Sequence, residues 1–206
     1  MTTFNKDIID KYYNKLKGKT KPLTIGLDFD NTLVYARQDA IKIAAKELGI
    51  KLACSQPRDY NFKDFPDNMK ERIYQLFRTP SFSVDLEIIP GTQDKLIEWK
   101  RLGHNLIIIT ARDVPIRPAT DEFIKRHFSM VDDIHYVDML SSKAGKFIDL
   151  KLDVWVDDSP VDAPEASKMG IRTCLISNSH TQYNFYLKED PALKLAVYDN
   201  VSSINL

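Results

Sequence analysis

Apolar and polar positions along this 206-residue chain fall into blocks whose period switches repeatedly between helix-like and strand-like. Phe4, Ile8, Tyr12 and Leu16 recur every four residues between Lys6, Lys11, Lys15 and Lys17, which predicts an amphipathic helix. Such a helix can lie on a membrane, but its ordinary place is against a sheet with its lysines in solvent. The run Leu23 to Phe29 predicts the first strand. Ala40, Ile41, Ala44, Ala45 and Leu48 form an apolar helical face that Gly49 ends. A second helix is expected over Asp67 to Phe77, after an ordered loop from Ser55 to Pro66 that carries aromatics and prolines. After the Pro90-Gly91 turn, Thr92 reads as the N-cap of a helix over Gln93 to Leu102, with Gly103 as its stop.

Asn105 to Thr110 is a short unbroken apolar run, the pattern of a strand buried on both faces of a parallel sheet. Helix and strand then alternate: helix from Pro118 to Phe128, strand from Ile134 to Val137, helix from Ser142 to Leu150, strand from Val154 to Val156. A last helix over Pro164 to Met169 precedes a strand over Ile171 to Ile176. This alternation predicts an open α/β fold with a doubly wound parallel sheet. The interval of about 33–88 is too long for a simple crossover. It is expected to be a small helical cap inserted after the first strand, with 1–32 and 89–206 forming the core domain. Asp190 to Leu206 carries too weak a pattern to assign.

Composition narrows the class without naming a function. The chain is 43% hydrophobic and 28% charged, ordinary for a globular protein, and 29 basic residues balance 29 acidic ones. With no net field, a polynucleotide is a poor expectation as partner, and no apolar run is long enough to span a bilayer. The N-terminal stretch has no apolar core of a signal peptide. Cys54 and Cys174 have no metal-ligand spacing and read as reduced thiols, so the expected location is the cytoplasm.

The chemistry concentrates at strand ends. Asp28 and Asp30 are two residues apart at the end of the first strand and point the same way, a costly pair unless a cation or a proton compensates it. Thr110 ends another strand and Asp157-Asp158 a third. Ligands of doubly wound sheets bind at those carboxyl ends. The histidines show no ligand spacing.

Asp28-x-Asp30-x-Thr32, Thr110, a lysine opening a helix, and Val156-Asp157-Asp158, in that order, resemble the haloacid dehalogenase superfamily of phosphotransferases, with its Rossmann-like core. The resemblance covers about Leu23 to Asn31 and Ile89 to Ile176. Closer still is the pyrimidine-type 5'(3')-deoxyribonucleotidase family with its bacterial and phage relatives. It is similar in Pro80-Ser81-Phe82, Ile89-Pro90-Gly91, Ile109-Thr110-Ala111-Arg112 and Leu152 to Pro160.

The resemblance implies a role for each position. Asp28 is the nucleophile that forms an aspartyl-phosphate, and Asp30 the general acid and base. Mg²⁺ is held by Asp28, the backbone carbonyl of Asp30, and Asp157, with Asp158 orienting a bound water. Thr110 and the Ala111 amide hold phosphate. Lys143 fits the cationic position better than Lys146, and both remain candidates. Phe82, Tyr35 and Arg37 are candidates for the substrate side. Asn31 stands where many members have Gly, and Asn is the non-glycine residue best suited to positive φ.

The implied activity is that of a Mg²⁺-dependent phosphomonoesterase acting on (deoxy)nucleoside monophosphates. The alternatives are a phosphatase for a sugar phosphate or a nucleic-acid 3'-phosphate, and a catalytically silent binding protein on the same fold. The expected partner is a small phosphorylated molecule, with a second copy of the chain as a further candidate.

Overall fold

The computed structural model describes residues 21–52, 58–138 and 141–206. The helix expected over Phe4 to Leu16, and Cys54, lie outside them. The apolar runs form six strands, β1 Thr24–Leu27, β2 Asn105–Thr110, β3 Asp133–Tyr136, β4 Val154–Asp157, β5 Arg172–Ile176 and β6 Leu195–Tyr198. They make one parallel sheet in the order β3-β2-β1-β4-β5-β6. The order reverses direction at β1, so the crevice beyond its carboxyl end is the place where such sheets bind ligands.

The helices are α1 Ala36–Glu47, α2 Asp67–Leu76, α3 Pro80–Val84, α4 Thr92–Leu102, α5 Arg117–His127, α6 Ala144–Asp149 and α7 Asp162–Lys168. Period-2 alternation assigns the two sheet faces. Ile25, Leu27, Leu106, Ile108, Val154 and Val156 share one apolar cluster with Leu96 and Trp99 of α4 and Phe123 of α5. Ile107, Ile109 and Trp155 point the other way, to Phe147 of α6 and Ala166 of α7. Among the described residues no helix is long and apolar enough to cross a membrane.

The segment after β1 leaves and returns through a narrow stem. Ile89 N–H donates to Leu33 O at 3.0 Å and Tyr35 N–H to Glu87 O at 2.8 Å. Between these points lie α1, α2 and α3. Their buried residues, Ala40, Ile41, Ala44, Met69 and Ile73 among them, are continuous with the apolar cluster of the core.

Two neighbours crowd β1 where it leads to Asp28. A Cβ built on Gly26 would lie 2.5 Å from Leu152 Cδ1 and 2.7 Å from the Trp155 ring. Gly26→Ala is therefore expected to cost about 1–3 kcal/mol by overpacking, read as a lower urea midpoint with an unchanged slope. An unchanged midpoint would show that the ring and the leucine move aside freely.

One expectation needs correction, and one unassigned segment gains a structure. Thr92 is the first residue of α4 and not its N-cap. Gly91 occupies the cap with φ +79°, and the Thr92 hydroxyl is buried without a partner. The tail from Asp190 is ordered: β6 adds to the sheet edge beside β5, and Val201 and Ile204 are fully buried. Its strand is four residues long, three half-buried and Val197 exposed, too short to show a period.

Candidate active site

The sheet brings the sequence's separate polar residues to one place. β1 lies between β2 and β4, so Asp28, Thr110, Asp157 and Asp158 emerge at adjacent strand ends. Asp28 still pairs with the sheet, its N–H donating to Val156 O at 2.9 Å. Phe29 turns to the opposite side, where its ring is edge-on to Phe123 and Phe128 at 5.9 and 6.4 Å. Asn31 follows with φ +60°, as expected, and its side-chain oxygen accepts from Arg37 N–H at 2.9 Å.

Asp28, Asp157 and Asp158 each present a carboxylate oxygen within 4.8 Å of the others, and all three residues are buried. Lys143, 4% exposed, reaches into this cluster from the start of α6. Its Nζ lies 2.6 Å from Asp28 Oδ1, 3.2 Å from Asp162 Oδ2 and 3.9 Å from Asp157 Oδ2. Ser142 Oγ accepts from Ala144 N–H at 2.9 Å and so caps the first turn. Lys146 sits on the same helix, half-buried, and makes no ion pair with the cluster.

The carboxylates outnumber their cation, and burial makes that imbalance costly. Burial pushes Asp28 up to about 7; Lys143 pulls the other way, while Asp158 and Asp30 add to the rise. Asp157 and Asp158 are raised chiefly by burial as well. Burial works to lower Lys143, but Asp157, Asp28 and Asp162 outweigh it and hold the ammonium well above its ordinary range. A site with this surplus of buried negative charge suits a divalent cation.

Asp157 is anchored by the Trp155 indole N–H and the Ser159 N–H, both at 3.0 Å. Asp158 accepts from the Thr32 hydroxyl at 3.3 Å and from the Tyr183 hydroxyl. Thr110 ends β2 with its hydroxyl buried and without a partner, a donor ready for an incoming anion. Ala111 is the next residue, half-buried.

The Asp30 carboxylate stands outside the three-carboxylate cluster and carries its own cation. Arg112 donates to it twice, Nη2 to Oδ1 at 2.6 Å and Nε to Oδ2 at 3.0 Å. The expected side-by-side pair is thus divided between two partners, Lys143 for Asp28 and Arg112 for Asp30.

The three substrate-side candidates differ in setting. The Arg37 guanidinium lies 4.3 Å from the Tyr60 ring centroid, 4.7 Å from Phe62 and 5.1 Å from Tyr183, and donates to Tyr60 O at 2.7 Å. It fastens the insertion to the segment Gln182–Glu189 that holds Asp158. Tyr35 is half-buried against His180, ring centroids 5.1 Å apart. Phe82 is buried edge-on to Phe77 and lines a groove beside α1 and α2 that includes none of the clustered carboxylates.

The family model for "5' nucleotidase, deoxy (Pyrimidine), cytosolic type C protein" matches residues 21–189. The chain belongs to this family. That span takes in every strand-end residue described above. The "Putative nucleotidase" of Oceanobacillus iheyensis is 22% identical over 176 residues, covering 78% of this chain and 89% of its own. Two solved structures share the fold. A "predicted phosphatase" from Clostridium acetobutylicum has a TM-score of 0.58 at 12% identity, covering 86% of this chain and 94% of its own. A "Putative haloacid dehalogenase-like hydrolase" from Bacteroides fragilis has a TM-score of 0.57 at 15% identity, covering 88% of this chain and 99% of its own. This member of the nucleotidase family is accordingly a phosphoric monoester hydrolase on a haloacid dehalogenase core.

Sequence reasoning gave no role to three residues that contact the strand-end carboxylates or Lys143. Arg112 was visible within Thr-Ala-Arg, but its partner is 82 positions away. Asp162 follows Asp158 by four residues at the mouth of a helix, a spacing that signals only a helix start. Tyr183 lies in a short irregular segment with no periodic signal.

Proposed function

We propose that this nucleotidase-family chain is a Mg²⁺-dependent hydrolase of (deoxy)nucleoside monophosphates that works through an aspartyl-phosphate on Asp28. The observation that carries the reading is the Asp28 carboxylate, 2.6 Å from a buried Lys143, with the Thr110 hydroxyl buried and unpartnered at the end of the neighbouring strand. Thr110, the Ala111 amide and Lys143 would hold the phosphate oxygens. An Asp28 oxygen attacks phosphorus, the P–O bond to the nucleoside breaks, and Asp30 gives its proton to the departing oxygen. Asp30 then takes a proton from water as that water attacks phosphorus. Asp28 and inorganic phosphate are released.

Asp28, Asp157 and the backbone carbonyl of Asp30 would hold Mg²⁺, with Asp158 beside them. The surplus of buried carboxylates fits a divalent cation of this kind. When bound, the ion screens the approach of a carboxylate to a phosphate dianion. The insertion over about 33–88 acts as the cap that selects the nucleoside, with Tyr35, Arg37 and Phe82 as its candidate contacts. The family's name gives the cytosol as its setting, and the reduced thiol of buried Cys174 agrees with that location.

A panel of 5'- and 3'-nucleoside monophosphates, sugar phosphates and a 3'-phosphorylated oligonucleotide, assayed with Mg²⁺, tests the substrate class. Nucleoside monophosphates are expected to lead in kcat/KM by at least about tenfold, equivalent to about 1.4 kcal/mol. A lead of that size for sugar phosphates would replace this reading with the other one.

A further inference from the structure

We infer that Arg112 is the positioning residue for Asp30, a rigid mount that aims the acid and ties it to the root of the insertion. The inference rests on the proposed phosphomonoesterase reading and adds to it a role for Arg112, to which the resemblance assigns none.

All the donors on the guanidinium that meet protein are committed. Nε and Nη2 grip the two Asp30 oxygens. Nη1 donates to Ser83 Oγ at 2.8 Å and to Thr120 Oγ1 at 3.2 Å. Ser83 belongs to α3, where the insertion returns to the core, and Thr120 to α5. The guanidinium also lies 4.7 Å from the centroid of the Phe29 ring, between the two acids in sequence. Arg117 Nε in turn donates to the Arg112 backbone carbonyl at 3.2 Å.

The two sides of this pair differ in freedom. The Arg112 side chain is 4% exposed, whereas the Asp30 side chain is 29% exposed. The arginine is therefore the fixed member, and the carboxylate is the one that can turn toward a substrate. A two-point grip defines the plane of the carboxylate as a single lysine charge could not. Proton donation requires one Asp30 oxygen to leave that grip while the other stays, so the acid pivots on Arg112 and does not swing freely. Through Ser83, the pivot is tied to the root of the insertion.

Leaving-group dependence separates this role from others. The value of kcat/KM reports steps up to the first irreversible one, here the departure of the ester oxygen. An alkyl leaving group such as a nucleoside needs the proton from Asp30; p-nitrophenolate leaves without it. Arg112→Met is expected to lower kcat/KM for a nucleoside monophosphate by about 30-fold or more, and for p-nitrophenyl phosphate by less than about fivefold. Arg112→Lys should fall between wild type and Arg112→Met. If Arg112→Met does not fold, the Ser83→Ala/Thr120→Ala double variant, which frees the guanidinium but retains both charges, should show the same asymmetry at smaller amplitude.

Equal losses on both substrates with a raised KM would overturn the inference and make Arg112 a phosphate contact. So would an unchanged ratio between the two substrates. A wild type that hydrolyses neither substrate overturns the phosphatase reading along with it. A wild type that hydrolyses both with an unaltered ratio in the variants overturns the role of Arg112 alone.

Discussion

Asp28→Asn is expected to abolish turnover while leaving the protein folded. The amide is isosteric with the carboxylate but cannot attack phosphorus, so the covalent route is closed. A fall of roughly four orders of magnitude or more in kcat is expected, about 5.5 kcal/mol on the barrier. Folding should be unharmed for a specific reason. Burial opposes the charge on Asp28, and Asp158 and Asp30 repel it. Neutralising it relieves both penalties, and Lys143 keeps Asp162 at 3.2 Å as an ion-pair partner. Phosphate release and thermal unfolding, measured on the same preparation, check both halves. Activity within tenfold of wild type would refute Asp28 as nucleophile. Loss of both activity and fold would show that the Lys143–Asp28 contact stabilises the chain by more than its burial costs.

Removing divalent cations is expected to silence the enzyme by more than about 100-fold and to destabilise it in a pH-dependent way. Asp28 has an ordinary value of 3.8 and is raised to about 7 in the fold. Between those values the folded chain holds a proton that the unfolded chain has released. By linkage, stability without metal then falls as pH rises through that window, and below about pH 4 both states hold the proton and the dependence disappears. Asp157 and Asp158 are raised in the same direction, while the Lys143 charge opposes the rise. A divalent cation favours the ionised carboxylates, so it stabilises most at high pH. Adding Mg²⁺ at about 100 times its Kd should contribute about 2.7 kcal/mol, or about 5–10 °C in Tm, at pH 8. At pH 5 the gain should be much smaller. Melting curves with EDTA and with Mg²⁺ at both pH values read this out. A Tm gain that is the same at both, or activity that survives chelation, would sink the metal assignment.

The fold was legible because its elements are written in local periodicity. Asn105 to Thr110 reads as a strand buried on both faces because every residue of β2 after Asn105 is in fact buried, and the faces are told apart by alternation alone. Gly103, with φ +93°, ends α4 for a backbone reason that needs no partner. What failed was short or half-buried. β6 is four residues at the sheet edge. Thr92 looked like an N-cap because the residue type suits one, yet Gly91 takes that position with a φ that threonine avoids.

By itself, the sequence determined which carboxylates, hydroxyl and lysines were available and that they stood at strand ends, because strand ends follow from hydrophobic runs. It presented Asp28 and Asp30 as a pair in need of a cation and left Lys143 and Lys146 both standing. Only the tertiary structure decided that Lys143 enters the carboxylate cluster while Lys146 does not, that Asp162 shares that lysine, and that Asp30 belongs to Arg112. Those pairings span 115, 82 and fewer residues of chain. They depend on strand order and on which way a helix start faces. No local pattern encodes either, because the free energy that selects them comes from burying both faces of the sheet at once.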